Sequence, residues 1–301
     1  MATFKGPVFK LNNGIEMPGF GFGVFRSEPQ QTVDAVQSAV ANGYRLIDTA
    51  AAYMNERQVG EGVRASGIPR EDIFVTTKVW MTDYGYDQTL HAFDKSMRKL
   101  GFDYLDLYLT HWPVPSAFDE TIASYKAAMK LLEEGRVRAI GVCNFSSGHL
   151  RNLIEQTGHI PAVNQIEVHP FFTQSELREA DEKLGIITQA WSPIGGIKRD
   201  GEKAKVSGKV VDPLSHPSVV RLATKYGKSP AQIILRWQIQ IGTCPIPKSV
   251  RQERIAENID IFSFALAVDE VQAISALDTG ERGGPDPELV SPKTFPLTTH
   301  D

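Results

Sequence analysis

Side chains that can hold a charge or move a proton follow three consecutive apolar segments of the chain. Asp48 ends the first segment, and Tyr53 lies five residues further on. Lys78 ends the second segment and His111 ends the third. Taken alone, Asp48 could cap a helix, and Lys78 could reach solvent from a strand end. His111 could likewise be a satisfied core histidine, and Tyr53 could serve packing. Neighbouring segments would place these side chains at one rim of the fold, which favours a shared site.

The chemistry that suits these four groups is proton transfer to a carbonyl oxygen. A free tyrosine has a pKa of about 10, which is a poor match to neutral pH. The ammonium of Lys78 would favour the phenolate and lower that pKa, while Asp48 would keep Lys78 charged. His111 would orient the carbonyl oxygen, and Tyr53 would act as the general acid. Reduction also needs a hydride, and because the sequence has no metal or flavin signature, the expected donor is a nicotinamide.

The elements that must position these groups alternate between strand and helix patterns. Eight strand-like segments, from YRLIDT at 44–49 to IDIFSFAL at 259–266, are separated by helical patterns. Strands separated by helices run parallel, and eight such units in one chain predict a closed (β/α)₈ TIM barrel. The Asn-Gly turn within 8–18 predicts an N-terminal β-hairpin. We expect a single domain over 1–301, with a C-terminal loop from 279 onward lying over the active site.

An open doubly wound sheet is the structural alternative, and it would need a glycine-rich phosphate turn. The glycine-rich candidate, GFGFG at 19–23, lies before the first predicted barrel strand and does not open a helix. It therefore lacks the context of a dinucleotide-binding fingerprint. A polar insert at 195–213, rich in glycine and lysine, is predicted to be a mobile loop.

Composition limits the kinds of partner and the compartment. The 32 Lys and Arg against 36 Asp and Glu give a net charge of −4, which argues against nucleic acid or an anionic membrane as a partner. The sequence has no apolar run of about 18 residues and no apolar N-terminal signal core. Two cysteines in 301 residues do not make a disulfide framework, so we expect a cytoplasmic protein. No histidine pair has zinc-like spacing, and we expect no metal.

A set of motifs in order along the chain resembles the aldo-keto reductase family: DTAAAYMNE, LGFDYLDLYLTHWP, GVCNFS, NQIEVHP, IPKSV and RIAEN. The tail GERGGPDPELV is similar to that of bacterial members related to 2,5-diketo-D-gluconate reductases. The resemblance implies a (β/α)₈ barrel that binds NADP(H) without a Rossmann domain and reduces aldehydes or ketones, with monomer as the default state. It also implies that the family's four catalytic positions are Asp48, Tyr53, Lys78 and His111.

The same resemblance implies a set of cofactor-binding residues. Asn144 and Gln165 match the pair that hydrogen-bonds the carboxamide, and Trp191 stands where most members have a tyrosine that stacks on the nicotinamide. The pyrophosphate and adenosine would contact Ser192, Pro193, Ile194, Gly195, Lys248, Ser249, Val250, Arg254, Glu257 and Asn258. Lys248 and Arg254 would supply the positive charge that a 2′-phosphate needs. Preference for NADPH over NADH is therefore our hypothesis, although Arg254 alone could lie on a solvated helix face.

Cys143 departs from the family pattern, which usually has serine beside the asparagine. A thiol is a weaker hydrogen-bond partner, so carboxamide binding could be looser. The simpler interpretation is a small buried hydrophobic residue, and an oxidisable thiol is the alternative.

The substrate pocket is expected to be apolar and aromatic. Val24, Phe25, Trp80 and Trp112 match pocket-lining positions of the family and would form a wall over Tyr53, although each could belong to the core. Such a wall suits aldehydes and small ketones.

Two other functions remain open from the sequence. One is a non-catalytic NADPH-binding accessory or structural protein of the same fold. The other is a different barrel chemistry, an isomerase or a hydrolase, which would need paired carboxylates or a phosphate site.

Overall fold

The N-terminal segment forms the predicted β-hairpin, and this hairpin covers the lower end of the barrel. In this computed structural model, residues 3–195, 198–199, 202–203, 205–206, 209–210 and 212–299 are described. Strands β1 (Val8–Lys10) and β2 (Glu16–Pro18) pair antiparallel around the Asn-Gly turn. Leu11 and Met17 are buried against the residues that begin the barrel strands, such as Leu46 of the strand that leads to Asp48. The hairpin therefore closes the end opposite the predicted site.

The core of the molecule is an eight-stranded parallel sheet in which sequence neighbours are also spatial neighbours. Its strands are β3 (Phe22–Gly23), β4 (Leu46–Asp48), β5 (Phe74–Val79), β6 (Leu105–Thr110), β7 (Val137–Cys143), β8 (Val163–Glu167), β9 (Ile187–Trp191) and β14 (Cys244–Pro245). The first and last strands meet through two backbone hydrogen bonds, each 3.0 Å long, from Gly21 N to Pro245 O and from Gly23 N to Pro247 O. The predicted TIM barrel is confirmed, and it is closed.

The identity of one barrel strand differs from our prediction. The segment 259–266 is not a strand; it contains the end of a helix and the loop after it. The barrel begins instead at β3, inside the GFGFG segment. A Cβ at Gly21 would lie 2.4 Å from Leu46 Cδ2, so only glycine allows this close approach. A strand of two residues, one of them glycine, is too short to show the alternation of apolar and polar residues. The sequence pattern therefore did not predict β3.

Ten helices are present among the described residues, and most of them cover the outside of the barrel. They are α1 (Pro29–Ala41), α2 (Glu56–Ala65), α3 (Tyr86–Leu100), α4 (Phe118–Glu133), α5 (Ser147–Thr157), α6 (Ser175–Lys183), α7 (Pro217–Tyr226), α8 (Pro230–Gln240), α9 (Gln252–Ile259) and α10 (Val268–Ser275). Two of these helices, α7 and α8, follow each other without a strand between them. Gly227 ends α7 with a φ of +61°, and Ser229 starts α8 through a capping box with Gln232.

The predicted mobile loop at 195–213 lies partly outside the described residues. Its described parts include β10 (Lys198–Arg199) paired with β11 (Glu202–Lys203), and β12 (Lys205–Val206) paired with β13 (Lys209–Val210). Over the part of the chain that is described, no helix combines the length and the apolar character that a membrane span requires.

Candidate active site

The barrel brings Asp48, Tyr53, Lys78 and His111 together at the carboxyl ends of its strands; we call these four residues the rim cluster. Asp48 ends β4, Lys78 is the penultimate residue of β5, and His111 directly follows β6. Tyr53 ends a short 3₁₀ turn after β4. This is the end of a TIM barrel where catalytic groups lie.

Lys78 is the charged centre of the rim cluster, and it is completely buried. Its Nζ donates to Asp48 Oδ1 at 2.6 Å and to the carbonyl of Thr49 at 2.8 Å. The same nitrogen lies 5.0 Å from the centre of the Tyr53 ring. Burial lowers the pKa of Lys78, but its neighbours, above all the carboxylate of Asp48, raise it by more, so the net pKa lies above the ordinary value. The ammonium therefore remains charged at neutral pH.

Tyr53 keeps its proton more firmly than we expected. We predicted that Lys78 would lower the pKa of this phenol below its ordinary value. Burial of the hydroxyl is the larger effect, and it raises the pKa of Tyr53 to about 12, although Lys78 acts in the expected direction. The prediction was therefore wrong for the net shift in the free protein. At neutral pH the phenol is protonated, which is the form that a proton donor needs.

His111 presents a neutral imidazole beside Tyr53. Burial is the main reason that the pKa of His111 lies well below its ordinary value, and the charge of Lys78 adds to it. Its ring centre lies 5.9 Å from that of Tyr53 and 5.1 Å from that of Trp80. Nδ1 is buried and has no hydrogen-bond partner among the residues that the structure describes. A neutral imidazole has one N–H, which can donate to a carbonyl oxygen placed near the Tyr53 hydroxyl.

Gln165 is hydrogen-bonded to the rim cluster from inside the barrel. Its Nε2 donates to Asp48 Oδ2 at 2.8 Å and to Gln189 Oε1 at 2.6 Å. Its Oε1 accepts no hydrogen bond from another described residue and so remains available to a ligand. Sequence reasoning missed Gln189, although its position two residues before Trp191 on β9 places it on the same face.

Asn144 links the rim cluster to Trp191. It adopts a left-handed conformation with a φ of +64°, which asparagine tolerates better than most residues. Its Nδ2 donates to the carbonyl of His111 at 3.1 Å, and its Oδ1 accepts from Trp191 Nε1 at 2.9 Å. Two of the three residues that the resemblance assigned to the nicotinamide, Asn144 and Trp191, are therefore bonded to each other beside His111.

The residues assigned to the pyrophosphate and adenosine follow the ends of β9 and β14. Ser192, Pro193, Ile194 and Gly195 come directly after β9, and Lys248, Ser249, Val250, Arg254, Glu257 and Asn258 lie around α9. Lys248 and Arg254 are exposed, and no ion pair to either occurs within the described part of the chain. Helix α9 has no side-chain cap, and the N–H groups of its first turn have no acceptor among the residues that the structure describes. Free N–H groups beside unpaired cations suit a phosphate.

The expected substrate wall is formed in part. Phe25 is 52% exposed, and its ring meets the Tyr53 ring edge-on at 5.0 Å between centres. Trp80 lies against His111, and its Nε1 donates to the carbonyl of Leu297 at 2.7 Å, so the C-terminal segment reaches this side of the site as expected. Val24 is 1% exposed, and Trp80 and Trp112 are buried in the same core cluster, so among the four predicted wall residues only Phe25 is exposed.

Tyr84 is a further residue at the site, and no motif or spacing in the sequence pointed to it. Its hydroxyl donates to the carbonyl of Trp112 at 2.7 Å and accepts from the Trp112 N–H at 2.9 Å. These two bonds fix the backbone directly after His111. The ring planes of His111 and Trp112 are nearly parallel, with an angle of 9° between them.

Cys143 is a buried free thiol at the end of β7. It is 1% exposed and packs with Leu109 and Ala139 inside the barrel, in line with the simpler interpretation. Burial raises the pKa of this thiol, so it is protonated at neutral pH, and a buried thiol is less reactive than a thiolate. Within the described residues, no three His, Cys, Asp or Glu side chains are grouped to hold a metal ion.

Over nearly its whole length, the chain is similar to proteins of one known family. The Aldo/keto reductase family matches residues 19–279. The chain is 51% identical to morphine 6-dehydrogenase of Pseudomonas putida, over 97% of this chain and 98% of that protein. It is 45% identical to glyoxal reductase of Bacillus subtilis, over 96% and 99% of the two chains. It also resembles a crystal structure of a Bombyx mori aldo-keto reductase in complex with NADP, with a TM-score of 0.84, 36% identity, and coverage of 94% and 96%.

Proposed function

Since the chain belongs to the aldo/keto reductase family, we propose that the rim cluster reduces aldehydes and ketones to alcohols with NADPH. The family and the class of enzyme that the sequence predicted, an NADP-dependent oxidoreductase, are confirmed. A non-catalytic accessory protein of the same fold is not favoured, because the named relatives are reductases and a dehydrogenase.

One observation carries the assignment of roles to residues. The buried Lys78 ammonium is held by Asp48 at 2.6 Å and lies against the Tyr53 ring, next to a neutral His111. A positive charge buried beside a protonated phenol stabilises the phenolate that forms when the proton leaves. A structural role alone would not need this buried ion pair, since well-packed apolar residues of similar volume are often at least as stabilising as a buried ion pair.

The roles of the side chains follow from this geometry. The substrate oxygen would lie between the Tyr53 hydroxyl and the His111 imidazole, where it accepts hydrogen bonds from both. NADPH, when bound, supplies the hydride to the carbonyl carbon. As negative charge develops on the substrate oxygen, Tyr53 donates its proton, and Lys78 stabilises the phenolate left behind. The products are the alcohol and NADP⁺, and Tyr53 regains its proton from solvent.

The described residues fit the dinucleotide along the rim. Gln165 Oε1 and Asn144 can hydrogen-bond the carboxamide, and the indole of Trp191 offers a flat surface for the nicotinamide ring. At the other end, Arg254 and the free N–H groups of α9 suit the 2′-phosphate, which NADH lacks. We therefore infer a preference for NADPH over NADH.

The substrate class that suits the pocket is small aldehydes and ketones. The aromatic wall of Phe25, Trp80 and Trp112 favours apolar groups beside the reacting carbonyl. The relatives include proteins named for morphine and for glyoxal, which differ greatly in size, so those names do not select one substrate. We also propose that the protein is a cytoplasmic monomer, and light scattering would measure its mass in solution.

A panel of carbonyl compounds assayed with NADPH and NADH side by side tests the proposal. We expect consumption of NADPH with aldehydes such as methylglyoxal, and slower consumption of NADH. NADPH binding without turnover of any carbonyl would contradict the proposal and favour a non-catalytic role. The absence of NADPH binding would favour a different barrel chemistry.

A further inference from the structure

Glu167 is a completely buried carboxylate that the proposed reaction does not use. It ends β8, two residues after Gln165, and its side chain is fully shielded from solvent. Its Oε1 accepts from His169 Nε2 at 3.0 Å and from Gly283 N at 2.9 Å. Its Oε2 accepts from Gly284 N at 3.0 Å. A buried carboxylate therefore holds two successive backbone N–H groups of the C-terminal segment, 116 and 117 residues further along the chain.

Gly284, which Glu167 holds, lies directly against the indole of Trp191. A Cβ built on Gly284 would lie 2.5 Å from Trp191 Cη2 and 3.1 Å from Glu167 Oε2. No side chain fits between these groups, so the backbone itself forms the contact. Glu167 and Trp191 are also paired residues on the neighbouring strands β8 and β9. The carboxylate, the Gly283–Gly284 backbone and the indole thus form one packed unit.

The opposite edge of the same indole is fixed by a different residue. Trp191 Nε1 donates to Asn144 Oδ1 at 2.9 Å. The ring is therefore held on two sides, by a hydrogen bond from its nitrogen and by the backbone that Glu167 anchors. A flat ring held at both edges has little freedom to tilt, which is the property that a stacking surface requires.

We infer that Glu167 is a positioning residue for the cofactor: through Gly283 and Gly284 it fixes the orientation of the Trp191 indole on which the nicotinamide stacks. This inference rests on the proposed function for the meaning of Trp191. Glu167 itself touches neither the rim cluster nor the stacking surface. It also makes the C-terminal segment part of the cofactor site, because Glu167 holds the Gly283 and Gly284 N–H groups beside the indole.

The Glu167→Gln substitution tests this inference. The amide has nearly the shape of the carboxylate, but its NH₂ cannot accept, so one of the two backbone N–H groups loses its partner. The matched control is Glu288→Gln, a carboxylate of the same C-terminal segment that is 57% exposed and contacts His149 instead of Trp191.

The first measurement is made on the free protein and does not depend on NADPH. With ¹⁵N-labelled tryptophan, the four indole N–H signals are recorded by NMR, and the Trp191 signal is assigned from a Trp191→Phe variant. We expect Glu167→Gln to shift the Trp191 signal and to speed hydrogen exchange at Gly283 and Gly284, and Glu288→Gln to do neither. An unshifted Trp191 signal would overturn the inference.

The second measurement is NADPH affinity by fluorescence titration. We expect the Kd to rise about 10-fold in Glu167→Gln, as for loss of one hydrogen bond to a charged group. In a Trp191→Ala background the same substitution should change the Kd little, because the surface it positions is gone. An unchanged Kd in Glu167→Gln, or an equal loss in both backgrounds, would overturn the inference.

A second variant covers the case in which Glu167→Gln does not fold, as judged by circular dichroism. Gly284→Ala keeps the carboxylate but places a methyl group against the indole, and we expect the same shift of the Trp191 signal and a weaker affinity for NADPH. Normal values for both would overturn the inference. If the wild-type protein does not bind NADPH at all, the proposed function fails, while the NMR measurement still decides whether Glu167 positions Trp191.

Discussion

Gln165 and Asp48 are joined by a hydrogen bond of 2.8 Å, from Gln165 Nε2 to Asp48 Oδ2. The other oxygen of Asp48 holds Lys78 at 2.6 Å. A residue assigned to the cofactor is thus bonded to the residue that sets the charge of Lys78. Cofactor binding and proton transfer therefore share one buried polar network. Removal of one of its side chains leaves a buried polar or charged group of another without its partner.

Tyr53→Phe is expected to abolish turnover while leaving NADPH binding intact. The ring and its packing against Phe25 remain, but the proton donor is lost. General acid catalysis contributes roughly 10²–10⁴-fold, so kcat should fall by at least about 100-fold. Steady-state assays and fluorescence titration of NADPH measure the two effects separately. Turnover near the wild-type rate would show that another group donates the proton.

Asp48→Asn is expected to move the alkaline limit of activity to lower pH. Burial lowers the pKa of Lys78, and Asp48 is the largest effect that opposes it, so its removal lets that pKa fall. Asp48 also raises the pKa of Tyr53, so both shifts have the same sign. The profile of kcat/KM against pH measures the change. An unshifted limit would contradict this account of the pair.

The Asp48→Asn variant should also lose stability, because the buried ammonium of Lys78 is then left without its counter-charge. Breaking a buried pair costs roughly 3–5 kcal/mol in the free energy of unfolding. Asp94→Asn is the control, since Asp94 pairs with Arg136 at the surface, where such pairs contribute little. Urea denaturation compares the two variants.

Arg254→Ala is expected to weaken NADPH binding and to leave NADH binding nearly unchanged. Loss of a hydrogen-bonded contact between charged groups costs roughly 1.5–3 kcal/mol, or about 10- to 100-fold in Kd. Arg151→Ala, an exposed arginine of α5, is the control for a change of net charge. Equal effects on both nucleotides would show that Arg254 does not contact the 2′-phosphate.

Asp181 is expected to make the protein less stable as the pH rises toward neutral. Its carboxyl is buried on the inner side of α6, and burial raises its pKa from 3.8 to about 7. Because the folded protein binds this proton more tightly than the unfolded chain, the free energy of unfolding falls between these two pH values. Asp181→Asn should therefore raise the Tm at both pH 5 and pH 8, and by clearly more at pH 8, because only part of the loss has occurred at pH 5.

The structure explains why asparagine should fit at position 181. Asp181 Oδ2 accepts from Thr188 Oγ1 at 2.9 Å and Oδ1 accepts from Asn164 Nδ2 at 3.3 Å, and the oxygen of an asparagine side chain can keep the shorter of these two bonds. Thermal melting at the two pH values makes the measurement, at about 2–4 °C per kcal/mol. Glu182→Gln, an exposed change on the same helix, is the control. An equal effect of Asp181→Asn at both pH values would count against the titration.

Gly60→Ala is expected to destabilise the packing of α2 on α3. A Cβ at Gly60 would lie 1.9 Å from the carbonyl oxygen of Leu100, so the helices must separate. Overpacking of this kind costs roughly 1–3 kcal/mol or more. Gly148→Ala in α5 is the matched control, since its Cβ would meet only Ser146 Oγ at 3.7 Å and alanine favours a helix. Equal Tm values for the two variants would contradict the close contact.

Several features of this protein were determined by the sequence alone. Alternating apolar segments and helical patterns predicted the barrel, because a parallel strand must be followed by a crossover before the next one. The rim cluster was predicted from residue type and position alone, since the ends of parallel strands meet at one edge. The ordered motifs predicted the family and its cofactor, which the comparisons confirm.

Only the tertiary structure decided the rest, because those features depend on distances between residues far apart in sequence. The two-residue strand β3 exists because Gly21 and Gly23 let the backbone approach β14, and no local pattern encodes that approach. The net pKa of Tyr53 depends on whether burial or the charge of Lys78 is the larger effect, and burial is a property of the whole fold. The bonds from Trp80 to Leu297 and from Gly283 to Glu167 likewise join residues 217 and 116 positions apart, which only the closed barrel brings together.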